Sequence, residues 1–191
     1  GVQTCALPIF SCLLCLGIYH TVMRWYDRPC PSLVFYNVRG CPAIHCIAED
    51  GTSWLNYADT LSDKRRLQAV AANYWRRHQL LPPIEVTADC QNVDFCRHQQ
   101  IVFYHGCRIC MVTDNRWRNK SAASPLFINY MYLCKGYNGR LEELTGLFSP
   151  SCILLDASLS DDRKQFFREE CKRLHLHFIT LSEEGSVRFL L

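Results

Sequence analysis

Beyond residue 31 the apolar positions fall into short runs at strand spacing. Residues 32–38 (SLVFYNV) and 43–48 (AIHCIA) are β-branched and aromatic runs separated by Arg39-Gly40-Cys41-Pro42. Glu49-Asp50-Gly51 offers a hairpin turn into a third run at 52–57. The period then changes. Residues 63–81 place Leu67, Val70, Ala71, Tyr74 and His78 on one face of a helix that Pro82-Pro83 stops. After residues 84–87 comes a less regular stretch, and runs at 100–104 and 107–113 flank His105-Gly106 as a second hairpin. The pattern next predicts a strand at 127–134, a short helix at 140–148 and a buried strand at 152–155. A helix capped by Ser160 or Asp161 runs to about residue 174, followed by a strand at 176–181. The turn Glu183-Glu184-Gly185-Ser186 leads into a closing strand over 187–191. Strands come first, then strands alternate with helices, which is the order of an α+β domain.

The front of the chain departs from this pattern. Residues 10–23 (FSCLLCLGIYHTVM) contain no Asp, Glu, Lys or Arg and end in Arg24-Trp25-Tyr26-Asp27-Arg28, a collar suited to a membrane interface. A spanning helix needs about 20 apolar residues. Residues 10–28 are therefore expected to be the end of a transmembrane helix, with a soluble helix as the alternative. Pro29-Cys30-Pro31 makes a stiff linker into a C-terminal soluble domain over residues 29–191. Residues 1–9 (GVQTCALPI) look like a translated sequencing adaptor and are expected to be an artefactual scar, the rest being the tail of a longer protein.

Composition narrows the class without naming a function. Of 191 residues, 49% are hydrophobic and 20% charged, which excludes a disordered, collagen-like or coiled-coil chain. The net charge of +3 is too mild to mark a nucleic-acid binder by composition. Thirteen cysteines are scattered along the whole chain. Buried thiols are the plainest reading, and a disulfide framework or a zinc site stays open.

Candidate chemistry is sparse. Cys107 and Cys110 form a C-x-x-C on a strand, where positions three apart point to opposite faces, and Cys12-x-x-Cys15 lies in the apolar helix. His175-x-His177 lacks the following Asp and His that metallo-hydrolases use. Asp156, closing the run CILLD, stands where enzymes place catalytic carboxylates, and equally opens a loop. No catalytic residue, metal ligand or cofactor is assigned. Two basic clusters remain as possible nucleic-acid contacts. Arg65 and Arg76, and likewise Arg66 and Arg77, are 11 residues apart and share a helix face beside Tyr74 and Trp75. Arg116, Trp117, Arg118 and Lys120 form a basic loop with a stackable ring.

Three segments carry a family resemblance. Phe35-Tyr36-Asn37-Val38-Arg39-Gly40-Cys41-Pro42-Ala43 is similar to a strand-opening L-D-V-G-Q-G-D-A run, keeping Val38, Gly40 and Ala43 while the acidic positions are gone. Residues 129–136 (NYMYLCKG) are similar to a strand ending His-His-Gly, with Lys135 and Gly136 where histidines would stand. Residues 144–191 follow the same family's closing order of helix, strand, D-A-S, helix, strand and turn. On these segments the chain resembles the C-terminal region of ComEC-type competence proteins, inner-membrane channels for DNA uptake, in a divergent Bacteroidetes-like form. The resemblance implies a reduced, degenerate metallo-β-lactamase-like sandwich attached to the bacterial inner (plasma) membrane. Its partners would be the transmembrane channel portion of the same full-length protein and single-stranded DNA. A two-metal hydrolase needs about five or six ligands, so the implied function is non-catalytic. The alternatives are a metal-dependent nuclease with atypical ligands and an unrelated soluble binding module.

Overall fold

The structure is a computed structural model that describes residues 6–26, 30–57, 64–78 and 80–191. Expectations about residues 1–5, residues 27–29 of the collar and linker, and the helix start at Asp63 lie outside the described residues. So do the side chains of Arg24, Trp25 and Tyr26.

Helix α1 (Ala6–Tyr26) is one continuous helix that crosses the expected boundary between residues 9 and 10. Its described side chains, residues 8–22, are all exposed, with Phe10 and Leu16 each 67% accessible. Among the described residues no helix is long and apolar enough to cross a membrane.

The sandwich begins with an antiparallel meander of β1 (Ser32–Phe35), β2 (Ala43–Ile47) and β3 (Ser53–Tyr57). Helix α2 (Lys64–Arg77) then crosses over to β4 (Ile84–Val86), which lies parallel to β3. A second meander follows: β5 (Cys90–Gln91), β6 (Phe95–His98), β7 (Ile101–Tyr104) and β8 (Cys107–Val112). Three parallel pairings extend that sheet through β9 (Leu126–Leu133), α3 (Leu141–Thr145), β10 (Phe148–Leu155), α4 (Asp161–Arg173) and β11 (Phe178–Thr180). The short α5 (Leu181–Glu184) leads to β12 (Val187–Leu190), which returns to pair with β1. The sheet orders are β12-β1-β2-β3-β4 and β11-β10-β9-β8-β7-β6-β5.

Strand alternation sorts the side chains into three cores. Leu33, Phe35, Ile44 and Trp54 face Val102, Tyr104, Tyr132 and Leu154 between the two sheets. Val34, Tyr36 and Leu55 point the other way and are covered by Leu67 and Ala71 of α2. Leu133, Ile153 and Met131 are covered by Leu141 and Leu144 of α3 and by Phe167 and Cys171 of α4. The layers therefore run helix, sheet, sheet, helix. The mixed α+β class holds, and β1, β2 and β3 are buried on both faces, which is why they read as continuous apolar runs.

Several boundaries differ from the sequence pattern. Helix α2 stops at Arg77, and Val70 is 45% exposed while Trp75 packs against the sheet instead. The helix expected at 140–148 is only the single turn of α3, because Phe148 already pairs with Leu126 as the start of β10. Pro150 is tolerated there because β11 joins β10 only from Ile153 on, leaving Pro150 with one neighbouring strand. The strand expected at 176–181 shortens to β11, after His175 takes a left-handed φ of 54° past the end of α4. Cys107 packs toward the intersheet core and Cys110 toward α3 and α4, so that pair does point to opposite faces. Of the twelve described cysteines six are buried, and no disulfide joins any two of them.

Candidate functional site

One end of the sandwich carries a cleft of about 510 Å³ built by four separate pieces of chain. The β1–β2 connection supplies Arg39, α2 supplies Arg66, the β9–α3 loop supplies Lys135, and the first turn of α4 supplies Arg163. The segments around Arg39-Gly40 and Lys135-Gly136 thus meet at one place although they lie 96 positions apart in the sequence.

Local chemistry fixes each wall. Gly136 has a φ of 113°, and a Cβ there would stand 2.2 Å from the carbonyl oxygen of Thr113, so only glycine fits. Asp156 follows β10 and is fully buried. It accepts from the hydroxyl of Tyr132 and, at 2.7 Å, from the backbone N–H of Ser158. Burial pushes the Asp156 carboxyl up, and the Ser158 and Tyr132 hydrogen bonds oppose that shift. The tightened loop lets Ser158 Oγ accept from the Lys135 backbone N–H at 3.1 Å, tying two cleft walls together. Ser160 caps α4, its oxygen accepting from Arg163 N at 3.4 Å.

Arg163 is held in place by neutral partners. Its Nη2 donates to the Gly139 carbonyl at 2.9 Å and the Tyr137 carbonyl at 3.3 Å, and its guanidinium lies 4.4 Å from the Phe167 ring centroid. Asp161, which Arg39 influences, pairs with Lys164 at 2.8 Å. Among the described residues no carboxylate lines the cleft. Four cations converge at the N-terminal end of α4, where Asp161 lies within reach of the Arg39 charge, an arrangement whose chemistry suits phosphate oxygens. The donor set does not suit a metal pair: among the described residues no three His, Cys, Asp or Glu side chains come together to hold one.

The structure separates the residues that the sequence grouped. Arg65, Arg66, Arg76 and Arg77 are all exposed on α2, but only Arg66 lines the cleft. The basic loop is partly spent on internal contacts. Arg116 donates to Asp114 through Nε at 3.0 Å and Nη2 at 2.8 Å, and Arg118 lies 3.4 Å from Glu143. Trp117 is half-buried, donating to Gln100 Oε1 at 2.6 Å with its ring edge-on to Phe148, while Lys120 lies 5.3 Å from its centroid. His177 Nδ1 sits 3.1 Å from Cys152 Sγ, and burial pushes that thiol up to about 11. Sequence reasoning missed Arg39, Lys135 and Arg163 as one group. The available signal was the Gly following Arg39 and Lys135, each in a left-handed turn.

A family model described as the ComEC C-terminal domain matches residues 33–191. No curated protein and no solved structure matches the chain.

Proposed function

The chain belongs to the ComEC C-terminal domain family, and from that membership we propose a non-catalytic C-terminal domain of a membrane channel protein for DNA uptake in natural competence. The observation that supports this reading is the cleft, where Arg39, Arg66, Lys135 and Arg163 converge from four separate pieces of chain. Arg39, Arg66, Lys135 and Arg163 would hold the phosphates of a single DNA strand, with the outer arginines of α2 extending the track. The helix-sheet-sheet-helix layering supports a reduced, degenerate metallo-β-lactamase-like sandwich. The exposed apolar side chains of α1 support attachment to the bacterial inner membrane beside the transmembrane channel portion of the same protein.

The test is to titrate the full chain in detergent with a labelled single-stranded oligonucleotide, with and without Mg²⁺, Mn²⁺ or Zn²⁺. Binding that weakens steeply with salt, with the strand left intact, is the expected result. Metal-dependent cleavage would replace this reading with the nuclease. No binding and no association with lipid would favour a soluble binding module without a transport role.

A further inference from the structure

Beside the cleft lies a second cavity, of about 270 Å³, between the two sheets. The two adjoin at Thr113, which lines the cavity and whose carbonyl oxygen lies beside Gly136 of the cleft. Asn56 of β3 lines the cavity although it belongs to the apolar interior, paired with Ile44 on one side and Val86 on the other. Asn56 is 2% exposed. Its Nδ2 reaches Met111 Sδ at 3.8 Å, and its Oδ1 is buried with no partner. Turning the amide over only exchanges which polar end is orphaned. A buried amide left so is costly unless something meets it.

The rest of the lining is held ready. Gln100 is buried, its Nε2 donating to Thr113 Oγ1 at 2.8 Å and its Oε1 accepting from Trp117 at 2.6 Å. Arg97 donates through Nη1 to the Val86 carbonyl at 2.7 Å and through Nε to the Gln99 carbonyl at 3.2 Å, two of the five N–H donors a guanidinium carries. Among the described residues no carboxylate lines this cavity.

We propose that the cavity takes one nucleobase of the strand whose phosphates lie in the cleft, an inference that rests on the strand-contact reading above. A base is a flat ring whose edge carries N–H donors beside ring or carbonyl acceptors. A donor would meet Asn56 Oδ1, and an acceptor would meet the remaining N–H donors of Arg97. Every base offers at least one donor and one acceptor, so the site tolerates any sequence.

The test compares two labelled single strands of equal length on the full chain in detergent, one with bases and one fully abasic. The base-bearing strand should bind at least about fivefold tighter, the worth of one net hydrogen bond. Asn56→Leu should erase that difference while leaving abasic binding unchanged. Should Asn56→Leu fail to fold, Arg97→Gln serves the same comparison. Equal binding of the two strands to the unsubstituted chain would overturn the proposal, leaving a cavity that holds ordered water only. So would a base preference that survives both substitutions. If neither strand binds, the strand-contact reading itself fails and the base site goes with it.

Discussion

Tyr36 and His45 face each other across the β1–β2 pair, hydroxyl oxygen to Nδ1 at 2.9 Å, with their rings stacked 5.9 Å apart. Trp75 of α2 donates its Nε1–H to the same hydroxyl at 3.2 Å. The tyrosine oxygen accepts from the indole, and its hydrogen bond to Nδ1 occupies one side of the imidazole. The His45 Nε2 is buried without a partner, and burial lowers the His45 pKa from 6.5 to about 3. As pH falls, the unfolded chain binds this proton before the folded one does. The stability that neutral His45 contributes is complete above about pH 6.5 and is lost between there and pH 3. Urea titrations should show unfolding free energy dropping by a few kcal/mol over that window. His45→Gln should flatten most of the acid slope. An unchanged slope would assign the acid limb to other groups.

Gly136→Ala should destabilise the domain by at least about 2–3 kcal/mol. The substitution forces a Cβ into backbone at a left-handed φ, and neither Thr113 nor the chain beside it is a flexible side chain that can give way. Thermal unfolding of the variant checks this. A shift within error of the parent would mean that the backbone around Thr113 yields easily.

Replacing Arg66 and Lys135 together by Ala should make the dependence of log K on log salt shallower by roughly 1.4, since each single-strand phosphate contact contributes about 0.7. Arg116→Ala should leave the slope alone, because that guanidinium is already engaged by Asp114. Anisotropy titrations at four salt concentrations separate the two. The opposite ranking would move the contact surface from the cleft to the loop.

Deleting residues 1–29 should leave the two-sheet core folded and abolish flotation with anionic lipid vesicles. The exposed side chains of α1 take no part in the three hydrophobic clusters that hold the sheets together. A truncated chain that no longer melts cooperatively would show that α1 contributes to the core.

Much of the fold was legible because strands buried on both faces announce themselves as apolar runs: β1, β2, β3 and β8 all lie within their expected segments. β5 and β6 were not, since Cys90–Gln91 and Phe95–His98 are short, carry polar residues and sit at a sheet edge where little burial disciplines the sequence. Phe148 looked like the last turn of a helix because its strand role depends on Leu126, more than twenty residues upstream. The cleft was legible only in fragments. Arg66 stood out through its helical spacing, whereas Arg39 and Lys135 belong to loops and Arg163 to the first turn of α4, and their meeting is a property of sheet order and of no local pattern. Asn56 gave no signal at all, because a single polar residue in a strand says nothing about which face it takes until its register with Ile44 and Val86 is known.

The pairing of β12 with β1, Ser32 opposite Leu190, has a consequence for biosynthesis. Within this domain β1 is synthesised well before the strand that covers its edge. At about 5–20 residues per second, β1 exposes an open hydrogen-bonding edge for roughly 8–30 s before its partner is made. During that interval the nascent chain offers a strand template to any neighbour. Once β12 docks, the start and finish of the domain lie side by side, so a fusion placed after Leu191 would emerge next to the connection to α1 and not at the far pole.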